Sequence, residues 1–187
     1  LDEAGERVGA VAPGEGWRYV LSANEPQLIA GVGTLALEIF DDLPDVDCIF
    51  APVGGGSGAS SCCIVRTGRG SSARVVGVQA AGADAFAQSW RGPSRVETDR
   101  VATIADGMAT RTTYDLTFSI LKSELDEVVT LDEDELKDAM RAALQLKHNL
   151  AEPAGAAPQA AVAVPGRGFD AIRAVGRREV AAARRAV

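Results

Sequence analysis

The chain has 187 residues, 47% of them apolar and 24% charged: enough for one domain with a sizeable core, and no apolar run approaches the roughly 18 residues of a membrane span. A net charge of -7 and a pI near 4.8 set its surface against nucleic acid and anionic membranes. The three cysteines, Cys48, Cys62 and Cys63, form no C-x-x-C pair and leave an odd count, so neither a disulfide framework nor a zinc site is indicated and reduced, buried cysteines are expected.

The first residues, LDEAGERVGA, are acidic and helix-like, without the basic start and apolar run of a signal peptide, and the reduced thiols predict a cytoplasmic location. No initiator methionine precedes them, which suggests a chain processed or truncated at its front. WRYVLSA, residues 17–23, reads as a strand end. Asn24 then stands where a helix N-cap belongs, ahead of Pro26 in the first turn. Leu28, Val32, Leu35 and Ile39 follow at helical spacing, with Ile29, Ala36 and Phe40 widening the same face, and Pro44 ends the helix. DVDCIFAPV, residues 45–53, is a short apolar strand whose lack of strict alternation suits a parallel sheet covered on both faces.

A glycine loop comes next, then a helix packed by small residues at 58–66, a strand at 73–81 and a helix at 82–90. Residues 91–112 read as loop, 113–126 as helix and 127–131 as strand. Asp132 caps a further helix: Glu135 sits three residues on, as in a capping box, and Leu131 can staple onto Leu136. Leu136, Met140, Ala143 and Leu150 continue that helix's apolar stripe, and the lone His148 reads as a residue on its surface. Alternating strands and helices predict an α/β fold with a parallel sheet flanked by helices on both faces.

The loop, PVGGGSGA, runs from a strand into a helix at the carboxyl edge of such a sheet. Several backbone N–H groups there face a positive helix end, which suits an anion, and glycines let a phosphate approach without Cβ atoms intervening. Ser57 adds a hydroxyl donor. No Gly-Lys-Ser/Thr ending follows, so it is not a Walker A loop. Gly54, Gly56 and Ala59 satisfy a loose G-x-G-x-x-A dinucleotide pattern, but Gln79 occupies the place of the acidic ribose partner.

Taken together and in order, ANEPQLIAGVGTLALEI, DVDCIFAPVGGGSGA, ARVVGVQ, IADGMATRT, VVTLDEDEL and EPAGAAPQAA resemble the C-terminal half of pyridoxal-phosphate enzymes of the threonine/serine dehydratase and serine racemase family. These are tryptophan synthase β-like enzymes of fold type II. The resemblance implies residues 1–161 as an incomplete large, cofactor-phosphate-binding domain, with 162–187 a divergent Arg/Ala-rich tail. It implies pyridoxal phosphate as cofactor, Gly54, Gly55, Gly56, Ser57 and Gly58 as its phosphate site, and Glu152 as the glutamate near its pyridine ring. It further implies a small hydroxy amino acid as substrate, converted to a 2-keto acid and ammonia, and a homo-oligomer, with no membrane or nucleic-acid partner.

The sequence also departs from that family. The family's Schiff-base lysine lies in an N-terminal Ser-x-Lys-x-Arg context, and Lys122, Lys137 and Lys147, the only lysines here, have no such context. No catalytic residue is therefore assigned, and the isolated chain is expected to be inactive. The late Ser-Gly-Gly-Asn stretch is replaced by VAVPGRGFDAIRAVGRREVAAARRAV, for which a frameshifted or recombined end is one account. The acidic ligands of the divalent-cation site found in some members are replaced at Gln79 and Ala85, so no metal is expected. A serine racemase-like enzyme, or a non-catalytic truncated paralogue acting as a binding module, stands as the alternative.

Overall fold

The computed structural model describes residues 2–163; from residue 164 onward the Arg/Ala-rich segment lies outside them. In chain order the helices are α1 (Asp2–Val11), α2 (Pro26–Asp42), α3 (Ser57–Gly68), α4 (Ala85–Arg91), α5 (Asp115–Glu124), α6 (Glu133–Lys147) and α7 (Pro153–Ala163). Three strands, β1 (Cys48–Pro52), β2 (Arg74–Ala80) and β3 (Glu127–Leu131), form one parallel sheet in the order β1-β2-β3. The register pairs Phe50 with Val76 and Val78 with Val129.

β2 is central and its residues 75–80 are all buried, which is why it reads as an unbroken apolar run rather than an alternating one. One face of the sheet packs Ile49, Ala51, Val53 and Val75 against α3, α4 and α5 through Cys62, Cys63, Phe86, Ala87, Leu121 and Leu125. The other packs Val76, Val78, Ala80 and Leu131 against α6 and α7, through Leu136 and an almost all-alanine surface on α7. The expected α/β sheet, covered by helices on both faces, is what these two cores build.

β3 and the start of α6 match the sequence reading. The Asp132 carboxylate accepts from the amides of Asp134 (2.9 Å) and Glu135 (2.8 Å), while the Asp132 amide donates to Glu135 Oε2 at 2.7 Å. Leu131 and Leu136, the staple pair on either side, are both fully buried.

Four expectations are corrected. Residues 17–23 form no strand: no described strand lies beside them to pair with their amides, and Ser22–Asn24 instead close a 3-10 turn. Asn24 does not cap α2; Glu25 holds that position, without a side-chain cap. On α2 the buried stripe is Ile29, Gly33, Ala36 and Phe40, whereas Leu28, Val32 and Leu35 are exposed, Leu35 at 54%. Gly33, on the buried stripe, faces α3: a Cβ there would make ordinary van der Waals contact with Val65 at 3.7 Å and Ser61 at 3.9 Å. Finally, α6 stops before Leu150, which is 82% exposed. His148 takes a left-handed conformation (φ 52°), and the amides of His148 and Asn149 return to the carbonyls of Leu144 and Ala143.

Among the described residues no helix is long and apolar enough to cross a membrane, and no group of His, Cys, Asp and Glu side chains is arranged to hold a metal ion. Gln79 is fully buried and its Oε1 accepts from the Ala87 amide at 2.9 Å, so it caps the first turn of α4 from the neighbouring strand.

Candidate active site at the carboxyl edge of the sheet

The glycine loop leaves β1 at its carboxyl end and enters α3 at Ser57, as the sequence requires. Its carbonyls are drawn into the protein. The Thr117 hydroxyl donates to Gly55 O at 2.7 Å, the Thr110 hydroxyl approaches Gly54 O at 3.5 Å, and the Ser60 amide donates to Gly56 O at 2.9 Å. In a trans peptide the carbonyl and the following N–H point in opposite directions. Anchoring the oxygens of residues 54, 55 and 56 therefore turns the amides of Gly55, Gly56 and Ser57 away from those anchors, Gly56 itself being buried. Among the described residues no acceptor pairs with the amides from Gly54 to Ala59, and Gly54, Gly55, Ser57 and Gly58 are all partly exposed. Ser57, the first residue of α3, has a hydroxyl with no partner among the described residues.

Not every glycine here is explained by a ligand. A Cβ on Gly54 would collide with the Gly107 carbonyl at 2.2 Å, and one on Gly55 would crowd Ala23 at 3.2 Å. Gly56 caps α3 with φ 88°, a left-handed geometry that strains other residues, and a Cβ there would also press on Leu121 and Thr117 at 3.0 and 3.1 Å. Packing thus forbids a side chain at Gly54, backbone conformation and packing disfavour one at Gly56, and one at Gly55 would require Ala23 to shift. Gly58 differs: a Cβ on it would meet nothing within 4 Å. A glycine inside a helix is destabilising by about 0.5–1 kcal/mol relative to alanine, and no neighbour in the fold offsets that.

Glu152 is brought to the same edge. Its two carboxylate oxygens accept from the amides of Ala154 (2.9 Å) and Gly155 (2.7 Å), and its carbonyl takes the Ala156 amide, so it is the N-cap of α7. It is exposed, and Gly107 separates it from the loop: a Cβ on Gly107 would lie 3.7 Å from Glu152 Oε1, and Gly107 O fills the space beside Gly54. Gly107 thus lies between Gly54 and Glu152, while Gly55 faces Ala23 and Tyr114, and Gly56 faces Leu121 and Thr117.

The lysines lie in other surroundings. Lys122 donates to the carbonyls of Trp90 and Gly92 at the end of α4, and Lys137 pairs with Asp134 at 3.0 Å. The cysteines are packing residues. Burial pushes the Cys62 thiol up to about 11 and the Cys63 thiol up to about 12; at Cys48 burial again outweighs the opposing pull of Arg74 and raises the thiol to about 11. Such thiols are poor nucleophiles at neutral pH. The sequence reading missed Thr117, Thr110 and Gly107. Thr117 left a trace, as a polar residue one turn before Leu121 on a buried helix face.

The sequence model of one family, described as pyridoxal-phosphate dependent enzyme, matches residues 1–175. The chain belongs to that family. Within it, an L-threonine ammonia-lyase of Thermotoga maritima is 37% identical over 162 residues, covering 87% of this chain and 40% of the relative. The processed form of threonine deaminase isoform 2 from Solanum lycopersicum superimposes with a TM-score of 0.77 at 27% identity, over 81% of this chain and 42% of that one. Maize serine racemase superimposes at 0.73 with 30% identity, over 76% and 43%. The chain thus spans less than half the length of each of these relatives. They are fold type II pyridoxal-phosphate enzymes, and the three-stranded parallel sheet with its flanking helices is the part of that fold this chain shares.

Proposed function

We propose that this chain supplies the phosphate-holding part of a pyridoxal-phosphate-dependent lyase of the threonine/serine dehydratase type, acting on a hydroxy amino acid to give a 2-keto acid and ammonia. The cofactor, when bound, supplies an electron sink for the carbanion chemistry of such eliminations. The residues of this chain hold and orient. The amides of Gly54, Gly55, Gly56, Ser57 and Gly58, with the Ser57 hydroxyl, donate to the phosphate oxygens, and the positive end of α3 adds to their field. Glu152, anchored by the first turn of α7, presents a carboxylate beside the ring. The Schiff-base lysine comes from outside these 187 residues, because neither the sequence context of Lys122, Lys137 and Lys147 nor the contacts of the first two suit that role.

One observation carries this reading: consecutive carbonyls are anchored inward, so consecutive amides are turned away from those anchors, beside a glycine that the fold itself does not require. The likeness to maize serine racemase keeps racemisation as a second reading, since both reactions begin with removal of the same Cα proton. The exposed Leu28, Val32 and Leu35 on α2 support an assembled, homo-oligomeric state.

The test titrates the purified chain with pyridoxamine 5′-phosphate and with pyridoxamine, following the fluorescence of the ring. Neither probe carries an aldehyde, so surface lysines cannot capture it. The phosphorylated probe is expected to bind at least about tenfold more tightly, a difference of ~1.4 kcal/mol. Equal affinities would refute the phosphate site. In the whole enzyme, L-threonine or L-serine should release ammonia and a 2-keto acid; racemised amino acid without ammonia would favour the second reading.

A further inference from the structure

We infer that Thr117 is the positioning residue that sets the phosphate loop, held at its own place by Asn24; the inference rests on the phosphate reading above. Thr117 lies in the first turn of α5, fully buried, and donates to Gly55 O at 2.7 Å. This is the short hydroxyl bond to the loop, since the Thr110 contact to Gly54 O is 3.5 Å. Fixing the Gly55 oxygen fixes the plane of the Gly55–Gly56 peptide and turns the Gly56 N–H away from α5. The Thr117 Cβ lies 3.1 Å from where a Gly56 side chain would begin, so the same residue also closes off the inner side of the loop.

The register of α5 matters for this bond. Asn24 Oδ1 accepts the Leu116 amide at 3.0 Å, one residue before Thr117, and so caps α5 from a segment 92 residues away in sequence. Its neighbour Ala23 lies 3.2 Å from the Cβ position of Gly55, on the loop itself. The turn Ser22–Asn24 and the first turn of α5 therefore hold the loop between them. No ligand need touch Thr117 or Asn24 for either to govern binding.

The experiment compares wild type, Thr117→Val and Thr117→Ser. Valine keeps the shape and removes the donor; serine keeps the donor and loses a methyl. Two quantities are read in each: affinity for pyridoxamine 5′-phosphate, and the Gly56 amide resonance in the ¹H–¹⁵N spectrum of the free protein. Thr117→Val should weaken binding about tenfold and shift the Gly56 amide, while Thr117→Ser stays within about threefold of wild type with the Gly56 amide near its native position. Native affinity and an unmoved Gly56 amide in Thr117→Val would overturn the inference. Should Thr117→Val fail to fold, Thr117→Ser decides: a tenfold loss with a native spectrum would show that the methyl contact matters, not the hydroxyl, and would overturn it equally. If wild type itself does not prefer the phosphorylated probe, the phosphate reading falls, and the Gly56 resonance still decides whether Thr117 anchors the loop.

Discussion

Gly58→Ala separates what the fold needs from what a ligand needs. Gly58 is the second residue of α3, in helical conformation, and a Cβ there would meet no atom within 4 Å. Alanine at a compatible helical position stabilises, chiefly by restricting the unfolded chain, by about 0.4–1 kcal/mol. Near the first turn the lower end applies, and for a chain of this size ~0.5 kcal/mol raises Tm by about 1–2 °C. On the phosphate reading proposed above, the added methyl would narrow the open space beside Gly58. Gly58→Ala should therefore melt slightly higher by circular dichroism at 222 nm and bind pyridoxamine 5′-phosphate at least about tenfold more weakly. A variant that is stabilised but binds like wild type would remove the ligand from the explanation of this glycine. One that is destabilised would show that the space beside Gly58 is not open.

The buried thiols predict a dependence on alkaline pH. Burial raises Cys62 to about 11 and Cys63 to about 12 from an ordinary value of 9.0, so folding favours the neutral thiol. That stability is fully present below pH 9 and is lost as pH rises from there through 11 to 12. Urea midpoints should fall between pH 8.5 and 10.5, and Cys62→Ala/Cys63→Ala should flatten the fall; an unchanged slope would contradict the assignment. At α6, Asp132→Ala removes the acceptor for two amides and should cost about 0.5–2 kcal/mol, read as a lower denaturation midpoint with an unchanged m-value. Asp132→Asn, which keeps an acceptor oxygen, should recover most of it.

How far the sequence could be read depended on the range of the interactions that decide each element. β3 and the α6 cap follow from neighbours within five residues, Leu131 to Leu136, and were legible to the residue. The strand–loop–helix path through the glycines was legible from the apolar run that precedes them and the small residues that follow, whereas the packing that requires Gly54 and Gly56 comes from Gly107, Thr117 and Leu121, far along the chain. The buried face of α2 was not, because apolar residues surround much of that helix and the choice was made by contact with α3, which Gly33 faces. Asn24 was read as a cap correctly in kind but for the wrong helix. Pro26 beside it pointed to α2, whereas its partner is Leu116, across the fold. Glu152 was placed by family resemblance, and the α7 cap that holds its carboxylate became visible only in three dimensions.

The inward anchoring of the loop carbonyls also bears on the kinetics of capture. A receptor segment whose peptide planes are already oriented surrenders little further freedom when an anion arrives. Stopped-flow traces of anion uptake should then show a single phase whose rate rises linearly with concentration, without the plateau that marks a slow rearrangement before or after encounter.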